Sequence, residues 1–346
     1  MPGEAVMVVH GPEVFDCGDV AWLQGLLFPW KTVVAGVMAR TAAEESGLPV
    51  TFASDVPSAV IAGTGGNVFL VNRGKTPASG RIFGEIVSSR LPRGTPLIQL
   101  ECSSRTVYVW NGRGPGFGNL LAEETGFALE EAESGPFAGG EVREIRGCIP
   151  GEAVLVEGIA IGTALAETVV IRSGEKGIEA VSGLRPKDHG LEKLSRRGRI
   201  EISRAWCKSG TVRQAAPRRG DPGAATGRVL VIDHCAHDLY RLRRADTCGI
   251  LAIGDDTTAV CGHICAHLGI PVFGVTDGDR DGLLDPEFFP GSVVVEVLEG
   301  RDDEAGRDLA GIAGGSPVVW SEWVARALGL LGDRCRVVYP DPGSFS

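Results

Sequence analysis

No run of roughly 18 uninterrupted apolar residues, the length a membrane helix needs, occurs in the chain. The longest apolar stretch, 153 to 171, is broken by Glu157 and Glu167, so no membrane span is expected. The opening "MPGEAVMVVHGPE" has no basic segment ahead of its apolar residues, which speaks against a secretory signal and for a cytoplasmic protein. Any C-x-x-C pair is lacking too. The nine cysteines are odd in number and scattered, which suits free thiols in a reducing compartment better than a disulfide framework. Positive charge is also short: the net charge is −10, and a protein that coats nucleic acid needs a basic face, so a general role of that kind is not expected. Lysine, asparagine and glutamine are scarce (6, 4 and 3 residues, against 28 arginines), a bias that fits a thermophilic source or a GC-rich genome and names no chemistry.

What is present is an ordinary globular composition, 43% hydrophobic and 23% charged, with glycine high at 50 of 346 residues. The length calls for two α/β domains or one large one with an insert. From residue 4 to about 101 the β-rich runs "EAVMVVH", "TVVAGV", "VTFAS", "NVFLVN" and "PLIQLEC" alternate with helical stretches such as 17 to 28 and 77 to 91. That rhythm predicts an α/β domain over 1–135 with a Rossmann-like, mostly parallel sheet. Residues 136–215 read as a small antiparallel β insert, because "VLVEGIAIGTALAETVVI" and "GIEAVSG" are divided by turns and not by helices. The Pro-, Gly-, Ala- and Arg-rich stretch 216–227 is the linker candidate. A second α/β domain is predicted over 228–346, with strands "RVLVID", "GILAIG", "IPVFGVT" and "SVVVEVL" and helices near 237–245 and 257–268. A helix capped by Ser321 and ending near Gly332, then a last strand "RCRVVYP", complete it.

Ligands of open α/β sheets bind outside the carboxyl ends of the strands. Three successive strands of the second domain deliver polar groups there: Asp233 and His234, then "GDDTT" (Asp255, Asp256, Thr257, Thr258), then "GVTDGDRDG" with Asp277, Asp279 and Asp281. Each group alone has a plain structural explanation, a helix cap or a Gly/Asp turn. Together, so many carboxylates at one edge repel each other unless a cation enters, and hard divalent ions prefer oxygen. The expectation is Mg²⁺ held by Asp277, Asp279 and Asp281 and bridged to a small phosphorylated ligand. In a catalytic version Asp277 and Asp279 hold the metal and Asp255 or Asp256 positions water or a second ion. Asp233, His234, Thr257 and Thr258 bind the ligand, the threonines from the helix start.

Other motifs compete with this reading. Asp277, Asp279, Asp281 and Gly282 match the first half of a calcium loop, but Phe288 stands where the closing acid belongs. A zinc site is invited by His234, His237, His263, His267, Cys235, Cys261 and Cys265, yet Cys261 and Cys265 share an apolar helical face with Val260, Ile264 and Leu268. "NRGKTPASG" lacks the first glycine of a P-loop, Phe69 standing in its place, but its turn still offers Asn72, Gly74, Lys75 and Thr76 to an anion. "NGRGPGFGN" is a further glycine-rich loop.

"TDGD" after a strand resembles the acidic motif of Toprim domains, which implies strand-end acids holding Mg²⁺ for phosphoryl chemistry. That family also needs a glutamate at an earlier strand end, where this chain has Asp233. Over most of its length, through "VMVVHGPEVFDCGD", "NRGKTPASG", "PGEAVLVEGIAIG" and "GDDTTAVCGHICAHLGIPVFGVTDGDRDG", the chain resembles an archaeal family, seen mainly in methanogens, that carries a domain of unknown function. The resemblance implies an archaeal cytoplasmic protein and supplies no activity, so function rests on the strand-end acids. The competing expectation is a module that senses a nucleotide or cofactor without turning it over, or a scaffold.

Overall fold

The computed structural model describes residues 4–112, 116–135, 140–174, 177–196, 200–203, 205–278, 287–299, 301–314 and 316–340. Among them, no helix is long and apolar enough to cross a membrane.

The first seven strands are β1 (Val6–His10), β2 (Lys31–Ala35), β3 (Thr51–Ala53), β4 (Val68–Asn72), β5 (Leu97–Glu101), β6 (Thr106–Trp110) and β7 (Ala128–Ala132). They form one sheet in the order β3-β2-β1-β4-β5-β6-β7, with the first five parallel and β6 antiparallel to β5. Helices α1 (Glu13–Asp16), α2 (Asp19–Leu27), α3 (Val37–Ser46), α4 (Pro57–Ala62), α5 (Pro77–Ser89) and α6 (Phe117–Thr125) cover both of its faces. Successive residues of β1 explain why: Met7 and Val9 enter one apolar core while Val6 and Val8 enter the other. A strand buried on both sides has to be apolar throughout, which is what "VMVV" is.

The middle of the chain folds into two small antiparallel sheets. Strands β8 (Val142–Arg146), β9 (Ala153–Val156), β10 (Ile159–Ala164), β11 (Thr168–Gly174), β12 (Gly177–Ser182), β13 (Leu184–Pro186) and β14 (Cys207–Ser209) pair in the orders β13-β10-β9-β14 and β12-β11-β8. One helix, α7 (Asp188–Arg196), packs on β10, and a core of its own holds this part together.

The last sheet contains β15 (Thr226–Asp233), β16 (Thr247–Ile253), β17 (Val272–Thr276), β18 (Val293–Val297), β19 (Val318–Val319) and β20 (Cys335–Tyr339). Its order is β19-β15-β16-β17-β18-β20: four parallel strands with an antiparallel strand at each edge. Helices α8 (Leu239–Leu242) and α9 (Asp255–Leu268) lie on one face, and α10 (Asp302–Ala313) and α11 (Trp320–Leu331) on the other. The chain is thus an α/β protein with two mostly parallel sheets and an antiparallel region between them.

Three local expectations are corrected. The helix expected near 237–245 is only a 3-10 turn, Ala236–Asp238, continued by the single turn α8. Helix α9 begins at Asp255, not 257, so Asp255 and Asp256 occupy its first turn, where negative charge meets the positive end of the dipole. Helix α11 begins at Trp320, before Ser321, and has no side-chain cap. Trp320 stacks on Trp323 at 5.3 Å and donates its indole N–H to the Gly291 carbonyl, which fixes the first turn one residue early.

Candidate functional site

The carboxyl ends of β15, β16 and β17 and the start of α10 converge on one cleft, and the antiparallel region closes it from the other side. Its lining comprises Gly158, Ile159 and Ala160 of the β9–β10 hairpin, Lys187, His189, Gly190 and Lys193 of α7 and its approach, and His234, Gly254, Asp255, Asp256, Thr257 and Asp277.

Two glycines set this geometry. Gly254 joins β16 to α9 at φ 101°, and a Cβ there would stand 2.8 Å from Nε2 of His234. Glycine therefore lets the strand turn directly into the helix beneath the imidazole. Gly190 brings α7 against β10, since a Cβ at that position would lie 1.9 Å from the Ala160 carbonyl oxygen. That close approach aims His189 and Lys193, four residues apart and hence on one helical face, at the sheet edge.

Asp277 is the centre of the polar network. Its Oδ2 meets Nε2 of His189 at 2.9 Å and accepts from the Lys193 ammonium at 3.1 Å. Lys193 also donates to Oδ2 of Asp302 at 2.8 Å, and Asp302 is fully buried. The backbone N–H of Asp277 donates to Oδ2 of Asp255 at 3.1 Å. One oxygen of each of these two acids remains over: Asp255 Oδ1 and Asp277 Oδ1 are buried and accept no hydrogen bond from any third group, so only a proton held on Asp255 links the two carboxyls. Carboxylate oxygens of Asp255, Asp277 and Asp302 lie within 4.8 Å of one another, a spacing that one cation spans.

The electrostatics follow from this crowding. Burial, reinforced by the hydrogen bond and charge of Asp277, pushes the Asp255 carboxyl up to about 7. Burial works in the same direction on Asp277, but the hydrogen bond with Asp255 and the charges of Lys193 and His189 outweigh it and hold Asp277 below the usual carboxylate range. Burial depresses Lys193, yet Asp302 and Asp277 more than offset it and the ammonium is held above its ordinary value.

The sequence-derived residues divide accordingly. Asp255, Asp256, Asp277, Thr257 and His234 meet in the cleft. Asp233 stands beside it, 60% exposed, with Oδ1 2.6 Å from Nδ1 of His234. Thr258 faces inward, its methyl against Gly274, and serves the packing of α9 on β17. Asp279 and Asp281 lie outside the described residues. Asn72, Gly74, Lys75 and Thr76 gather at the other sheet, where internal partners engage them. Asn72 donates to the Gly80 carbonyl, the Gly74 N–H donates to Glu101, and Thr76 forms a capping box with Ser79. The Lys75 ammonium is bound by the Glu152 carboxylate and by Ser209 Oγ, so the anion that reaches this turn belongs to the protein itself.

The histidines and cysteines between 234 and 267 do not converge: Cys261 and Cys265 are core residues, His263 accepts from Arg213 and His267 faces Glu44. All nine cysteines are free thiols. Lys187, His189, Lys193 and Asp302 were not found by the strand-end rule. Asp302 had a usable signal, since "RDDE" opens a helix after the fourth strand as "GDDT" does after the second. The α7 residues had none, because their approach depends on packing between distant segments.

The chain matches, over residues 7–313, the family described as an uncharacterized protein conserved in archaea (DUF2117). The match takes in the whole cleft. A relative, an uncharacterized protein of Methanocaldococcus jannaschii, is 30% identical over 327 residues, 88% of this chain and 89% of that one. No solved structure matches. By both comparisons the chain belongs to the archaeal DUF2117 family.

Proposed function

We propose that the cleft binds a small phosphorylated molecule, nucleotides included, through a divalent cation such as Mg²⁺ held by Asp255 and Asp277. The observation that carries this reading is the pair of buried oxygens that no third group serves, Asp255 Oδ1 and Asp277 Oδ1. Without a cation these buried oxygens are relieved only by a proton held on Asp255, and a cation on both takes that proton's place. His189 and Lys193 use Oδ2 of Asp277, so an ion on Oδ1 displaces neither. The opposite wall is basic through Lys187, His189 and Lys193, and the first-turn N–H groups of a helix have no acceptor inside it. Cation, basic wall and helix start together suit a metal-bound phosphate. The free thiols fit action in the cytoplasm.

The test is thermal stabilisation by nucleotides and other phosphorylated compounds, with Mg²⁺ or with EDTA. A ligand that binds only the folded chain adds about 2.7 kcal/mol at a hundredfold excess over Kd. Stabilisation is expected with a phosphorylated ligand and Mg²⁺ together, and is expected to vanish in Asp255→Asn. Stabilisation by unphosphorylated compounds alone, or equal stabilisation in EDTA, overturns the reading. Phosphate release in the same samples separates turnover from binding.

A further inference from the structure

Strand β8 runs along helix α5, and at one end the two are complementary: Arg146 pairs with Glu85 at 3.0 Å, and Gly147 just beyond comes against Ser79. At the other end the complementarity fails. Arg143 of β8 meets Arg90, which caps α5, and the charge of Arg143 joins burial in holding Arg90 below its ordinary value. Both guanidiniums also act on the Cys207 thiol of β14, which places the three side chains together. Arg143 forms no ion pair among the described residues. Its Nη1 donates to the Ser203 carbonyl at 2.7 Å, while its Nε–H is buried and makes no hydrogen bond. The half-buried or buried Arg73, Arg146 and Arg213 differ, since each meets a carboxylate, at 2.6, 3.0 and 2.7 Å.

We propose that Arg90 and Arg143 form a clamp for one small oxyanion, a phosphate or carboxylate group. Two like charges in partly desolvated surroundings repel each other, and a buried N–H without an acceptor adds to the cost; an anion between the guanidiniums removes both penalties. The orientation of Arg143 fits that role. With Nη1 turned to Ser203, the edge left over is the one formed by Nε and Nη2, whose two parallel N–H groups receive a carboxylate or phosphate in bidentate fashion. The protein's own acids are engaged elsewhere: Glu157, which acts on Cys207, accepts the Trp206 N–H at 2.5 Å, and Glu201 accepts from Ser203 Oγ at 3.4 Å. Arg90, Arg143 and Cys207 are each partly open to solvent, so an anion reaches them. Two cations suit a single anionic group and not a polyanion. None of these residues lines the cleft at Asp277, and the inference is independent of the reading given for that cleft.

The test is equilibrium dialysis of the full chain against radiolabelled inorganic phosphate, in EDTA and with ionic strength held constant by chloride, so that no divalent cation can draw phosphate to the cleft. One equivalent is expected for the wild type. Arg143→Met and Arg90→Gln should each lose it, and Asp255→Asn should keep it. Thermal unfolding supplies a second measurement: millimolar phosphate should raise the midpoint of the wild type and leave that of Arg143→Met where it was, while in chloride alone Arg143→Met should be no less stable than the wild type. Arg90 lies at the end of its helix, so Arg90→Gln keeps the test informative if Arg143→Met fails to fold. Competition with acetate separates the two sources of the anion: displacement of the label marks a carboxylate site, retention a phosphate site. No bound phosphate in the wild type, or equal binding in the wild type and both arginine variants, overturns the clamp and leaves the reading of the cleft to its own test.

Discussion

Asp255 and Asp277 are chemically identical residues that the fold pushes in opposite directions, and the difference yields a pH prediction. An unfolded aspartate ionises near pH 4. In the folded chain, burial and the neighbouring Asp277 raise Asp255 to about 7. Between those values the folded state holds a proton that the unfolded state has lost, so stability falls as pH rises through the window. Asp277 is shifted downward, so its stabilisation is full above the ordinary carboxylate range and is lost only in stronger acid. Metal-free wild type is therefore expected to lose stability from roughly pH 4 to 7 relative to Asp255→Asn, by on the order of 2–4 kcal/mol. Urea unfolding in EDTA measures it, and parallel pH profiles for the two proteins count against the assignment. These two aspartates and His234 were legible in the sequence because a strand end is a local feature. Lys193 was not, and it changes the argument: the acid cluster that seemed to require an external cation already has one internal cation on Asp277 and Asp302. What then asks for a metal is the pair of buried oxygens that no third group serves, which no sequence pattern displays.

At the scale of elements, α7 decides whether the cleft is closed by the right side chains. Its contact with β10 depends on Gly190, where a Cβ would come 1.9 Å from the Ala160 carbonyl oxygen, and a backbone oxygen cannot move aside as a flexible side chain does. Gly190→Ala should cost about 1–3 kcal/mol through overpacking and carry His189 and Lys193 away from Asp277. Gly311 in α10 provides the control. A Cβ there meets nothing within 4 Å, so Gly311→Ala should leave stability unchanged or raise it by up to about 1 kcal/mol. Denaturation midpoints check both, and equal midpoints would mean that α7 is not held by this contact. The central strands of the two large sheets were readable as apolar runs because burial on both faces leaves no other composition, whereas β6, β7 and β19 were not read, and β7, Ala128–Ala132, is exposed over four of its five residues. Boundaries set by tertiary contact were less readable. Trp320 enters α11 through its stacking with Trp323, and no local rule separates that from a cap at Ser321.

Over the whole molecule, the crossings between parts were invisible to a local reading, because they join residues far apart in the chain. The expected anion turn at Lys75 is an instance: its ammonium does bind a carboxylate, but Glu152 of the antiparallel region supplies it. Arg213 is the larger case. Its guanidinium, 3% exposed, donates to Asp16 of α1 at 2.9 Å, to Glu45 of α3 at 2.7 Å and to Nε2 of His263 in α9 at 3.1 Å. One side chain thus ties the two α/β parts together. Burial and the adjacent charge of Arg213 push His263 down to about 4, which keeps its imidazole neutral and able to accept. Removing one partner of a buried ion network leaves the others uncompensated, so Arg213→Met should cost about 3–5 kcal/mol. Arg213→Lys should restore only part of that, since an ammonium cannot reproduce the planar fork that serves three partners. The cost comes from stranded charge and not from lost attraction, and this has a sharper consequence: Arg213→Met combined with Glu45→Leu should be less destabilised than Arg213→Met alone. Urea unfolding of the three variants decides between the causes. If the double variant is the least stable, or if Arg213→Met loses under about 1 kcal/mol, the union of the two parts rests on the apolar contacts of Met38 and Val212 with the core beneath α9, and Arg213 only satisfies its neighbours.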